Sequence, residues 1–472
     1  MNENKRKQIL LVLFLGVLMG ALDIAIVSPA LPSIQKFFGV NDRLLPWTFT
    51  IYVLFNLIGT PLMAKLSDKF GRRLIYILDV SLFAVGSLVV VFAPQTLFFV
   101  LLIGRALQGF AAGGIFPVAS AVIGDTFPVE KRGSALGLIG AVFGLAFIVG
   151  PILGGIILTV AKWQWLFLIN LPIALVVVIL GMRLLPNTHS TETKTFDWLG
   201  IISLSAMLAS FAYGINQINT SNFFGSLVSL NVWPFLLLGL VLLFIFPAIE
   251  RKAIDPVLNL KLFKSRQTKL ASVLSAGAGL GESGLVFIPA LAVAAMPATI
   301  NTHNASYLIM PVVVAMSIGS PFVGRMMDKL GSKRMVFFGT LFLAIGMTML
   351  SLHVLTDNLV GFIASGFVIG LGLSSLLGAP MRYIMLNEAS AADRTAAQGL
   401  IALFTSIGQL TSSALVGAVA ASAGGGVAGY SAAYRVIGVV AAVMMLLTFG
   451  LKTRAQELST VAANQNQTAQ ES

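Results

Sequence analysis

Long apolar runs, interrupted by short polar or basic clusters, recur along all 472 residues of the chain. A helix needs about 20 mostly apolar residues to cross a bilayer. Runs of that kind fall at 8–30, 44–64, 74–92, 97–117, 133–158, 163–182, 198–217, 231–249, 270–296, 305–324, 335–355, 359–380, 397–421 and 431–451. The pattern predicts an all-α polytopic membrane protein with fourteen transmembrane helices. Membrane β-strands would be about ten residues long and alternate in polarity, and no stretch here does so. The first run follows Lys5-Arg6-Lys7, as in a cleavable leader. Its length, and the second span directly after it, favour a retained helix.

Composition agrees with this reading. Hydrophobic residues make up 57% of the chain and charged residues 10%, against about 25% charged in soluble domains. A soluble enzyme, a disordered chain and a disulfide scaffold are excluded, the last because cysteine is absent. The net charge of +12 would suggest nucleic acid if the basic residues formed one patch. They lie instead in clusters between apolar runs, so no nucleic-acid partner is expected. With the N-terminus inside, 25 Lys and Arg fall in inner loops and tails, and only Lys36, Arg43, Lys162 and Arg435 fall outside. Basic residues favour the cytoplasmic side, which predicts cytoplasmic termini.

A repeat at an offset of about 260 residues organises the chain. The segment Pro61 to Arg73 aligns without gaps on Pro321 to Lys333, with Pro, Asp, Lys and Gly in register. The same offset carries Asp23 to within one residue of Glu282. The expected organisation is a six-helix bundle at 1–182, two added helices with linkers at 183–269, a second six-helix bundle at 270–451, and a disordered tail at 452–472. Paired helical repeats around a midplane site are the architecture of secondary transporters.

Four ionisable residues stand out deep inside predicted spans: Asp23, Asp79, Arg105 and Glu282. Such residues are expensive in a bilayer and usually functional. Asp23 is a candidate to load and release protons and to balance a cationic substrate; the alternative is a structural pair with a neighbouring helix. Glu282, flanked by Gly281 and Gly284, is its counterpart in the second half. Arg105 stays charged at any relevant pH; it either adjusts a carboxylate's proton affinity or anchors structure. Asp79, near the inner end of helix 3, is expected to form an inner-side structural pair with Arg72, Arg73 or Arg132; the alternative is a coupling role. Asp68, Gly71, Arg72 and Arg73, with Asp328, Gly331 and Arg334, form matched inner loops that read as a conformational latch; the alternative, plain topology-setting positive charge, does not account for an Asp at matched register in both. Tyr52, Asn56, Gln108, Asn170 and Gln409 are candidates to line a cavity. Three scattered His and no Cys leave no metal or cofactor site and no nucleophile–base pair, so the chain reads as a non-enzyme. No phosphate-binding loop appears, which argues against drive by ATP.

At these residues the chain resembles the major facilitator superfamily, in particular its fourteen-helix drug:proton antiporter branch. Asp68-Lys69-Phe70-Gly71-Arg72-Arg73 is similar to that family's loop between helices 2 and 3, with Ala64 where Gly is usual. Leu22 to Pro32 resembles the branch's first-helix motif, and Gly104-Arg105-Ala106-Leu107-Gln108-Gly109 its fourth-helix motif. Gly140, Gly144, Gly150, Pro151, Gly154 and Gly155 resemble the fifth-helix antiporter motif, which the family associates with export. Read from the residues alone, these glycines also suit simple close packing. The resemblance implies a multidrug efflux transporter of the bacterial plasma membrane, in the major facilitator fold. Its expected partners are protons, small amphipathic or cationic molecules and membrane lipid, and it is expected to be monomeric. A dedicated exporter of one metabolite, lipid or antibiotic, or a proton-coupled importer, is the alternative.

Overall fold

The computed structural model describes residues 3–127, 129–186, 197–219, 222–254, 256, 260–301, 304–352, 356–388 and 394–460. The described residues form helices and connecting turns, with no strand. The first unit contains α1 (Glu3–Phe38), α2 (Trp47–Phe70), α3 (Arg72–Val91), α4 (Phe98–Thr126), α5 (Val129–Val160), α6 (Gln164–Leu168) and α7 (Asn170–Leu184). Next comes α8 (Trp198–Asn216), divided between the two units after Ala209. The second unit holds α9 (Phe223–Leu227), α10 (Trp233–Glu250), α11 (Arg266–Gly284), α12 (Ile288–Ala295), α13 (Met310–Leu330) and α14 (Ser332–Leu350). It continues with α15 (Leu359–Leu376), α16 (Ala379–Glu388), α17 (Arg394–Ser422) and α18 (Gly426–Leu447).

Thirteen of the described helical spans are long and apolar enough to cross a membrane. The fifth span predicted from the sequence falls on α5, whose Val149–Val160 segment is apolar. Several helices outrun their apolar stretches. α1 begins at Glu3 rather than near residue 8, and α2 runs on to Phe70, because backbone hydrogen bonding continues into polar ends that water can solvate. The tail expected to be disordered from residue 452 is helical over 454–460, where Glu457 and Arg454 find partners. Residues 461–472 lie outside the described residues.

The repeat reappears in the packing of each unit taken separately. In the first, α1 packs on α5, α2 and α3 pack on α4, and α7 packs on α3 and α1. In the second, α11 packs on α17, α13 and α14 pack on α15, and α18 packs on α14 and α11. The matched loops are built alike: Gly71 at φ +102° joins α2 to α3, and Gly331 at φ +80° joins α13 to α14. Only glycine adopts that backbone without strain, so one residue suffices to turn each chain.

Candidate functional site

In the first unit, Asp23 points from α1 towards α4. Its Oδ2 accepts from Arg105 Nη1 at 2.5 Å, while Oδ1 accepts from Gln108 Nε2 at 2.9 Å and Asn170 Nδ2 at 3.0 Å. Arg105 also donates from Nε to the Thr48 carbonyl at 3.1 Å and from Nη1 to Gln108 Oε1 at 2.8 Å. Ser87 Oγ of α3 accepts from Gln108 at 2.9 Å and Asn170 at 3.1 Å. Asp23, Arg105, Gln108, Asn170 and Ser87 are all 0% exposed. The guanidinium carbon lies 4.3 Å from the centre of the Tyr52 ring and 5.8 Å from that of Phe167, a cation–π arrangement.

Close helix packing brings these side chains together. A Cβ on Gly109 would lie 2.1 Å from the Tyr52 carbonyl oxygen of α2, and one on Gly59 would lie 2.1 Å from the Phe110 carbonyl oxygen. α2 and α4 therefore touch backbone to backbone, and Arg105 is carried against Tyr52 and the Thr48 carbonyl. On the other side of α4, a Cβ on Gly86 of α3 would lie 2.9 Å from the Gln108 backbone nitrogen.

The second unit holds a sparser cluster. Gln409 Nε2 of α17 donates to Glu282 Oε2 of α11 at 3.0 Å, and both residues are half-buried. One residue on, the hydroxyls of Ser283 and Ser413 lie 3.0 Å apart, and the Tyr434 hydroxyl donates to the Gly284 carbonyl at 2.9 Å. A Cβ on Gly408 would stand 1.7 Å from the Ala276 carbonyl oxygen, so α11 and α17 also approach through a glycine. Among the described residues no group of His, Cys, Asp and Glu could hold a metal ion.

Residues 13–298 and 271–469 match the family model of the Major Facilitator Superfamily. The chain belongs to this superfamily. It is 32% identical over 414 residues to the uncharacterized MFS-type transporter YfiU of Bacillus subtilis (strain 168), covering 86% of this chain and 79% of that protein. It is also 30% identical over 386 residues to Multidrug resistance protein 3 of the same organism, covering 80% and 74%. Among solved structures, the peptide transporter POT superposes with TM-score 0.69 at 15% identity, covering 93% of each chain. The nucleoside transporter NupG superposes with TM-score 0.68 at 11% identity, covering 94% of this chain and 99% of that one. At such identities the likeness to the solved structures is one of fold. The chain is a multi-pass membrane transporter of the major facilitator fold.

The remaining predicted residues of this superfamily member fall as follows. Asn56 is half-buried on α2, and its carbonyl oxygen lies 2.5 Å from where a Gly113 Cβ would stand. Arg72 donates to Ser67 Oγ at 2.8 Å and to Asp125 Oδ2 at 3.3 Å, and Arg73 reaches the Met182 carbonyl at 3.5 Å. In the matching loop, Ser332 follows Gly331, and its backbone N–H and hydroxyl donate to the Glu457 carboxylate. Arg334 is exposed. The side chains of Asp68 and Asp328, and that of Arg132, lie outside the described ones. On α5, Gly150 and Gly154 lie against Ala25 and Pro29 of α1, and Gly155 lies against the Tyr307 ring. Gly140 and Gly144 lie within α5 but outside the residues whose burial is described, and Pro151 is inside the same helix.

The expectation for Asp79 is corrected. It is 0% exposed, and neither carboxyl oxygen has a hydrogen-bond partner. The physical reason is its direction: the side chain turns into α4 at Gly114, away from the ends where Arg72 and Arg73 find other partners. Sequence reasoning also passed over Ser87 and Thr48. Ser87 left a usable signal, a hydroxyl within the apolar run of α3. Thr48 left none, since it contributes only its carbonyl to Arg105.

Proposed function

We propose that this transporter exports small lipophilic or cationic compounds, coupled to inward proton movement by alternating access. The observation that carries the reading is the sealed Asp23–Arg105 pair. An acid able to gain and lose a proton is bound there to a cation that cannot. While Asp23 is ionised, the pair and its two amide partners hold α1, α4 and α7 together. A proton arriving on Asp23 cancels one charge of the pair and leaves Arg105 to find another partner. An unpaired buried charge costs several kcal/mol, which is enough to drive a rearrangement of the bundle. Proton entry along a membrane potential contributes about 2.3 kcal/mol per 100 mV, so few protons are needed to concentrate a substrate. Further support comes from two relatives in Bacillus subtilis (strain 168), Multidrug resistance protein 3 and the multidrug transporter protein MdtP. Glu282, with one hydrogen bond and partial exposure, is placed to offer a negative charge to a monocation.

Proteoliposomes with an imposed pH gradient, a pH-sensitive dye and a panel of lipophilic cations, neutral drugs and lipids test the reading. Substrate-dependent proton flux is expected from the native chain, with loss of flux in Asp23→Asn while the protein remains folded. Unchanged flux in Asp23→Asn would remove the coupling role from that residue. Uphill movement in the direction of proton entry would replace export by import.

A further inference from the structure

Asp79 is fully buried on α3, and both of its carboxyl oxygens lack a hydrogen-bond partner. Its place is made by the residues across from it. A Cβ on Gly114 of α4 would lie 2.1 Å from Asp79 Oδ2 and 2.6 Å from the Met63 Cβ of α2. The carboxyl therefore fills the space left because residue 114 has no side chain, with Met63 on the other side of that gap.

The charged and titratable groups on the surrounding helices are engaged elsewhere or turned away. Tyr76, one turn earlier on α3, donates its hydroxyl to the Leu13 carbonyl of α1 at 3.1 Å. Arg105 of α4 is held by Asp23, and Arg72 by Ser67 and Asp125. On α7, Gly181 packs against Ile77, and Arg183 beyond it is exposed. An ionised carboxylate without a partner is intolerable in such surroundings, whereas the neutral acid is not.

The other half of the molecule shows that the fold does not require this acid. At the repeat offset, position 79 corresponds to Gly339 of α14. A Cβ there would lie 2.8 Å from the Cβ of Ser375 on α15, whose hydroxyl donates to the Met335 carbonyl at 2.6 Å. The bulk has changed sides: acid on α3 facing glycine on α4 in one unit, glycine on α14 facing serine on α15 in the other. The same interhelical space is thus filled without a titratable group.

We propose that Asp79 is a second proton-binding site of the transporter, loaded as the neutral acid in the gap between Met63 and Gly114. It discharges when α3 and α4 separate enough to admit water. In that step the acid O–H bond breaks, the proton passes to water, and the carboxylate is left hydrated. Asp23 releases Arg105 on protonation, whereas Asp79 carries a proton with no cation to displace. The inference rests on proton-coupled transport as read above.

The test measures protons moved per substrate, from the pH gradient and voltage at which net flux vanishes in proteoliposomes. The native chain is compared with Asp79→Asn and with the double variant Asp79→Gly, Gly114→Ser, which installs the pair found in the second unit. Both variants are expected to transport with one proton fewer per substrate. A native ratio in either variant would overturn the assignment while leaving proton coupling intact. A native chain that moves no protons would overturn both. Infrared spectroscopy supplies a readout that does not depend on the variants transporting. In a Glu282→Gln background at neutral pH, the carbonyl band of a protonated carboxylic acid is expected, and its loss on adding Asp79→Asn identifies the carrier. Absence of that band in the background protein would overturn the proposal.

Discussion

The two halves of the transporter share one packing scheme and treat their buried acids in opposite ways. Asp23 is sealed from solvent and holds a guanidinium and two amides, whereas Glu282 is half-buried and holds one amide. The difference lies on the fourth helix of each repeat. Gly86 of α3 faces the Gln108 backbone of α4, and its counterpart Gly346 of α14 faces the Ile369 backbone of α15. Ile369 therefore stands where Gln108 does, and three residues earlier Gly366 stands where Arg105 does. Without that cation the second acid is left with one amide partner and partial exposure. A buried ion pair needs both partners. One repeat pairs its buried acid with a cation, and the other leaves its acid with a single amide.

The largest effect expected from breaking this contrast is on Arg105. Arg105→Met leaves Asp23 buried and unpaired, which should cost about 3–5 kcal/mol, measured by unfolding in detergent. The double variant Asp23→Asn, Arg105→Met should recover much of that loss yet show no proton-coupled transport. Full additivity of the two single changes would mean that the side chains do not interact.

Close packing should separate the glycines next. Gly408→Ala forces a Cβ to within 1.7 Å of the Ala276 carbonyl oxygen and should destabilise by about 1–3 kcal/mol. Gly20 of α1 has nothing within 4 Å of its would-be Cβ, so Gly20→Ala should be neutral or stabilise by up to about 1 kcal/mol. Melting temperatures of the pair test whether the helix contacts are as tight as described.

Glu282→Gln should change stability by less than about 1 kcal/mol, because an amide of the same shape can still meet Gln409. Transport of a lipophilic monocation should fall about tenfold, equivalent to about 1.4 kcal/mol, with neutral compounds little affected. Equal losses for both classes in flux assays would assign Glu282 to coupling instead. The smallest effect belongs to Arg72. Its ion pair with Asp125 is partly exposed, so Arg72→Ala should cost no more than about 1 kcal/mol and less at high salt.

The spans were legible in the sequence because the bilayer demands long apolar helices, and a run of about 20 such residues has few other uses. Asp23, Arg105 and Glu282 were legible for the same reason, since charge within an apolar run stands out. Gln108 and Asn170 also stood out, as polar residues in the same kind of run. Their direction was not visible: they close on Asp23 and Ser87, fully buried. The partners of Asp79 were misread because proximity to basic residues along the chain says nothing about which face a side chain takes. Gly114 decided that, through a missing Cβ on a different helix. Hydropathy is a property of a segment and can be read one residue after another. Which acid meets a cation, which meets a single amide and which finds no hydrogen-bond partner depends on contacts between helices tens of residues apart, and those the tertiary structure alone decides.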